Sequence, residues 1–136
     1  MNKALFCLLF ACTMPLMAQG PWKIKLNCPA EKINLNIDLY EESIEVPTME
    51  DFGPMNGYMN GDIYGVWTVT SFNIKDNKNV ILNLSNDLGS ETQAALLTQQ
   101  NDTTWSLKLT GRPVIKRVDG RKQVKIPTEL IMKQSK

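Results

Sequence analysis

The sequence predicts an all-β protein: an antiparallel meander that closes into a small barrel of about eight strands, or alternatively stacks as a β-sandwich. Three observations lead there. Apolar residues alternate with polar ones over short runs, the pattern of a half-buried strand. Turn signals separate these runs about every ten residues. No stretch carries the periodicity of a long amphipathic helix.

The elements follow in order. Pro21–Asn27 sets Trp22, Ile24 and Leu26 against Lys23, Lys25 and Asn27. Ile33–Tyr40 alternates most cleanly, with Ile33, Leu35, Ile37 and Leu39 on one face, and Ser43–Val46 extends it as far as Pro47. Thr48–Asn60 reads as a long loop, because Gly53-Pro54, Asn56-Gly57 and Asn60-Gly61 are all turn signals. Gly61–Ile74 is the longest run rich in β-branched and aromatic residues; as one strand it would span roughly 40 Å and would have to twist. Val80–Ser85 and Thr103–Thr110 alternate again. Thr92–Gln99 is compatible with either a strand or a helical turn. Val114–Val118 and Lys122–Ile126 flank Asp119-Gly120, a two-residue hairpin signal, and Glu129–Lys133 supplies a last short strand.

Residues 1–18 carry the features of a secretory signal peptide. Lys3 precedes the apolar run Ala4–Cys12, Pro15 breaks it, and Ala18 offers a cleavage point that leaves 19–136 as one domain. The run is too short to span a bilayer. The expected location is therefore periplasmic or extracellular. Leu9-Phe10-Ala11-Cys12 also resembles a bacterial lipobox, which would anchor the chain through Cys12 instead.

Composition excludes several function classes. The chain has 136 residues and no histidine, so histidine-based triads and histidine metal sites are ruled out. Without the leader only Cys28 remains, and one cysteine cannot close an intrachain disulfide; Cys28 reads as a small buried hydrophobe. Near-zero net charge argues against a nucleic-acid binder. Charge is nonetheless polarised. Residues 19–62 hold three basic and eight acidic side chains, residues 108–136 nine basic and two acidic. The expectation is that the two ends of the chain pair as neighbouring strands, with Glu41, Glu42 and Glu45 near Lys116, Arg117, Lys122 or Lys125.

Gly65-Val66-Trp67 resembles the Gly-x-Trp signature of lipocalin-like (calycin) barrels. The resemblance implies an up-and-down barrel, a tryptophan packed across its closed end, and a small, often apolar ligand inside. In that family the motif opens the first strand; here it lies mid-chain.

In a meander alternate loops fall at one end. The loops at 48–61, 86–91 and 111–113 are expected to share an end, which assembles a candidate ligand site from Met55, Tyr58, Met59, Tyr64, Trp67, Asp87, Glu91 and Arg112. The leading expectation is a non-enzymatic module binding a small lipid-like molecule or a saccharide, with no cofactor, no nucleic-acid partner and no transmembrane segment. A protein-interaction or inhibitor module using the 48–61 loop is the alternative. A carboxylate hydrolase relying on Asp62, Asp87 or Glu91 comes third, and Asn86–Glu91 offers oxygen atoms to calcium without matching an EF-hand loop.

Overall fold

Alternating side chains need a shared interior, and the computed structural model, which describes residues 20–135, shows how they obtain one. The segment expected to be a signal peptide, with Cys12 and its lipobox-like sequence, lies outside the described residues. Among the described residues ten strands form: β1 (Lys23–Cys28), β2 (Ile33–Asp38), β3 (Gly57–Gly61), β4 (Trp67–Ile74), β5 (Asn79–Asn86), β6 (Thr92–Gln99), β7 (Thr104–Thr110), β8 (Lys116–Asp119), β9 (Lys122–Lys125) and β10 (Glu129–Gln134). Eight of them close a barrel in the order β1-β10-β7-β6-β5-β4-β3-β2, every pairing antiparallel. Among the described residues no helix is long and apolar enough to cross a membrane.

The barrel is the expected one; several of its staves are not. Gly61–Ile74 is not one strand. The chain bends at 62–66 and only Trp67–Ile74 is extended into β4, where the register shifts between Val69 and Ser71 as a bulge. Conversely, 57–61 lies not in a loop but in strand β3, paired with β2 from Ile37↔Gly57 to Ile33↔Gly61. Its glycines are what make it possible. Gly61 has φ +120°, and a Cβ there would collide with the carbonyl oxygen of Lys32; one at Gly57 would collide with that of Asn36. Glycine here marks close backbone approach, not a turn. The segment Thr92–Gln99 resolves as strand β6.

β8 and β9 form the expected hairpin but no part of the barrel. They make a separate two-stranded ribbon between β7 and β10. Its base is held by Ile115 and Ile126, both buried, with the Ile126 N–H donating to the Ile115 carbonyl (3.3 Å). β10 returns between β7 and β1, so start and end of the chain do meet, at Leu26↔Gln134.

The interior is filled. Leu26, Ile33, Leu35, Ile37, Met59, Trp67, Leu82, Leu84, Leu97, Trp105, Leu107, Leu130 and Met132 are all buried in one cluster with Trp22 and Cys28. Each large side chain so placed contributes about 1.5–3 kcal/mol. Strand directions define two ends. The connections 29–32, 62–66, 87–91 and the ribbon-bearing 111–128 lie at one, hereafter the ribbon end. Residues 39–56, 75–78 and 100–103 lie at the other, the acidic-loop end. Glu41, Glu42 and Glu45 therefore do not approach Lys116, Arg117, Lys122 or Lys125. Arg117 instead pairs with Glu31 (2.8 Å) and Asp62 (3.5 Å).

At the acidic-loop end one buried carboxylate organises the turn out of β2. Asp38 accepts from the N–H groups of Tyr40 and Glu41 (both 3.1 Å) and the Ser43 hydroxyl (2.6 Å), with Lys23 Nζ 3.8 Å away. Burial disfavours its charge. The bonds from Ser43, Glu41 and Tyr40, helped by Lys23, outweigh burial and hold the carboxyl below its ordinary value.

Two outcomes are expected. Gly61→Ala should destabilise the barrel by several kcal/mol, about the scale of an incompatible backbone substitution plus a forced strand shift, measured by urea unfolding. The folded state binds a proton at Asp38 less readily than the unfolded chain, so that stability is present above an ordinary carboxylate pKa of about 3.9 and is lost as pH falls through the lowered one. Thermal melts should be flat above about pH 5 and fall below about pH 4, and Asp38→Asn should flatten that acid limb while costing about 1–3 kcal/mol at neutral pH.

Candidate functional site

The ribbon end carries the most structured groove. One wall is the β5–β6 connection, made rigid by Asn86, the last residue of β5. Asn86 Oδ1 accepts from the N–H groups of Ser90 (2.9 Å) and Glu91 (3.2 Å), its Nδ2 donates to Ser90 Oγ (3.1 Å), and its carbonyl accepts from Gly89 N–H (3.0 Å). This is a side chain mimicking a backbone turn. It leaves Asp87, Leu88 and Glu91 exposed. The amide oxygen that would serve a calcium ion is committed to the backbone.

The second wall is the bend between β3 and β4. Trp67, the first residue of β4, is buried, and its indole N–H donates to the Tyr64 carbonyl (3.2 Å). That bond fixes the bend and leaves the Tyr64 side chain outside, 58% exposed. Gly65 turns there with φ +81°. Asp87 Oδ1 lies 3.2 Å from where its Cβ would be, so the absent side chain leaves room for the carboxylate.

The third wall is the ribbon. Tyr64 N–H donates to the Lys116 carbonyl (2.7 Å), tying ribbon to bend. Behind it Gln93, buried inside the barrel mouth, donates to the Thr110 carbonyl (3.1 Å) and accepts from Val114 N–H (2.8 Å). The strand leaving β7 is thereby stapled to the barrel. Together these walls enclose about 130 Å³ lined by Tyr64, Trp67, Asn86, Asp87, Leu88, Ser90, Glu91, Val114, Lys116 and Gln123. An adjoining hollow of about 250 Å³ shares Glu91, Val114 and Lys116 and adds Arg112, Pro113 and Lys125.

Five of the eight residues expected at a mouth are thus gathered at this end: Tyr64, Trp67, Asp87 and Glu91 in one groove, Arg112 beside it. Met55, Tyr58 and Met59 are not. Because 57–61 is a strand, Met59 points into the core and Tyr58 lies on the outer face of β3. Met55 sits in the acidic loop at the far end, bridged to Ile44. The expected sharing of one end by the 48–61 loop and the loops at 86–91 and 111–113 is corrected accordingly. Lys116, Gln123, Val114 and Gln93 were not anticipated. A signal for the first two existed: β8 and β9 each offer one valine and no alternating apolar row, too little to serve as barrel staves.

In comparisons with known proteins, no family model matches this chain, and neither a curated protein nor a solved structure matches it. The site is read on its own chemistry. Among the described residues no three cysteine, aspartate or glutamate side chains gather closely enough to hold a metal ion. What the groove offers is one exposed aromatic ring, two carboxylates, an ammonium group and a primary amide.

The bond under Tyr64 can be weighed against a control inside the same barrel. Trp105 is equally buried, yet its indole N–H has no partner among the described residues. Trp67→Phe and Trp105→Phe remove similar volume, but only the first breaks a hydrogen bond. Denaturant unfolding should show Trp67→Phe costing about 1 kcal/mol more.

Proposed function

We propose that the chain is an exported, non-enzymatic binding module that takes a small hydroxyl-rich ligand, a saccharide, in the groove at the ribbon end. The observation that carries this reading is the filled interior: with Leu, Ile, Met and Trp side chains occupying the barrel, a lipid-like ligand has no chamber, and recognition falls to the outside. The groove's composition supports the ligand class. An aromatic ring offers a flat apolar surface to the C–H face of a sugar. Asp87 and Glu91 accept from its hydroxyls, and Lys116 and Gln123 donate.

The pieces are also pre-organised. Asn86 holds the loop, the Trp67 indole holds the Tyr64 backbone, and the ribbon is fastened at Lys116, so little ordering entropy is left to be lost on binding. The resemblance of Gly65-Val66-Trp67 to lipocalin-like barrels fits a binding role, with the ligand moved from the interior to the rim. The interaction-module alternative built on Met55, Tyr58 and Met59 loses its patch, since Met59 is internal.

A melting-temperature screen of neutral and acidic mono- and oligosaccharides against fatty acids tests the reading. A saccharide at a hundredfold its Kd should stabilise the fold by about 2.7 kcal/mol, and fatty acids should do nothing. Tyr64→Ala and Asp87→Asn should each weaken that binding about tenfold, ~1.4 kcal/mol, by calorimetry, while the unliganded melting temperature stays put. A screen in which no saccharide shifts the melt, or in which the two substitutions leave affinity unchanged, removes the proposal.

A further inference from the structure

Two exposed segments of opposite charge occupy opposite ends of the barrel. The loop between β2 and β3, residues 39–56, holds Glu41, Glu42, Glu45, Glu50 and Asp51, all exposed, and no lysine or arginine. The ribbon, residues 116–125, holds five cations against the single acid Asp119. Among the described residues none of the loop's five carboxylates lies within ion-pair distance of a cation, and of the ribbon's cations only Arg117 is paired. They cannot reach one another within one molecule. The six residues of β2 alone separate the two ends by about 20 Å, twice the screening length of about 10 Å at 0.1 M salt.

Each segment also exposes the apolar surface that the other lacks a cover for. Phe52, 73% exposed, stands beside Glu50 and Asp51. On the ribbon Val118 is 51% exposed and Val124 is exposed too. The register sets Val118 beside Gln123 and Val124 beside Arg117, so that each face of the ribbon shows one valine. A two-stranded ribbon by itself is marginally stable, and β9 has no buried residue.

We propose that a second copy of this chain covers these surfaces: the basic ribbon of one molecule docks on the acidic, Phe52-tipped loop of the next. The contact joins different patches on the two partners, so it is heterologous and propagates head to tail. Exposed ion pairs contribute little singly, and it is the combination of several opposite charges with Phe52 and whichever of the two valines lies on the docked face that makes the contact. The Tyr64 groove is not required for it.

Sedimentation velocity of the purified chain, over a concentration series at about 0.01 M and about 1 M salt, reads the association directly. Association is expected at low salt, with Kd rising at least about tenfold, ~1.4 kcal/mol, at high salt. Lys122→Glu with Lys125→Glu, and separately Glu41→Lys with Glu42→Lys, should each weaken it by a similar factor. The decisive sample is the equimolar mixture of the two variants. The ribbon variant keeps its acidic loop and the loop variant keeps its basic ribbon, so the unaltered loop of one meets the unaltered ribbon of the other, and association should return. A chain that stays monomeric at every concentration in low salt overturns the proposal, and so does association indifferent to the reversals, or a mixture that fails to restore it. Should the ribbon variant fold poorly, the salt series and the loop variant together decide.

Discussion

Everything in this molecule follows from the width of an eight-stranded barrel. With that number of strands the enclosed space is just wide enough for side chains to meet across it, and here Leu, Ile, Met and Trp residues from all eight staves do meet. Closure removes the free edges of the main sheet and places most large apolar residues out of water. It also leaves nothing inside for chemistry. The buried polar groups serve the fold: Gln93, inside the mouth, staples the exit from β7, and Asp38, on the outer face of β2, gathers the turn that follows it. The groove and the two long charged connections lie instead at the rims, where backbone segments are relieved of the alternation that a stave must keep.

At one place in the closed sheet, β3 against β2, two backbones come unusually near. β3 has five residues and a single inward side chain of any size, Met59. Its glycines let it lie against β2 where any Cβ would strike a carbonyl oxygen. The same residues are why this stave was illegible in sequence. Asn-Gly pairs signal turns because turns need positive φ, and strand β3 uses positive φ for a different purpose. By contrast Ile33–Asp38, Asn79–Asn86 and Thr104–Thr110 were legible at once. Each buries every second residue against a common core, and burial on one face writes a period of two into the chain.

The candidate site was half legible for a related reason. Tyr64, Trp67, Asp87, Glu91 and Arg112 come together because counting alternate connections in a meander assigns them to one rim, and the meander holds from β4 through β7. Met55, Tyr58 and Met59 drop out because the unseen stave β3 moved them by half a cycle. Lys116 and Gln123 could not be assigned, since a hairpin inside a barrel and a hairpin outside one share the same turn residues; only the poverty of apolar positions tells them apart.

Connection lengths separate what the fold requires from what it carries. β4 to β5, β5 to β6 and β6 to β7 are joined by four or five residues each, and β1 to β2 and β3 to β4 likewise. Two connections depart from this economy. Eighteen residues link β2 to β3, and eighteen link β7 to β10, although in both cases the strands are barrel neighbours that a tight turn could join. Neither length is demanded by closure. One excess is entirely acidic in its charged residues and the other strongly basic; they project from opposite rims, and each displays apolar side chains to water. Long connections on a rigid scaffold are where binding residues concentrate. The barrel acts as a spacer: its core holds the two charged segments apart, and that separation leaves each of them exposed for contact with other molecules.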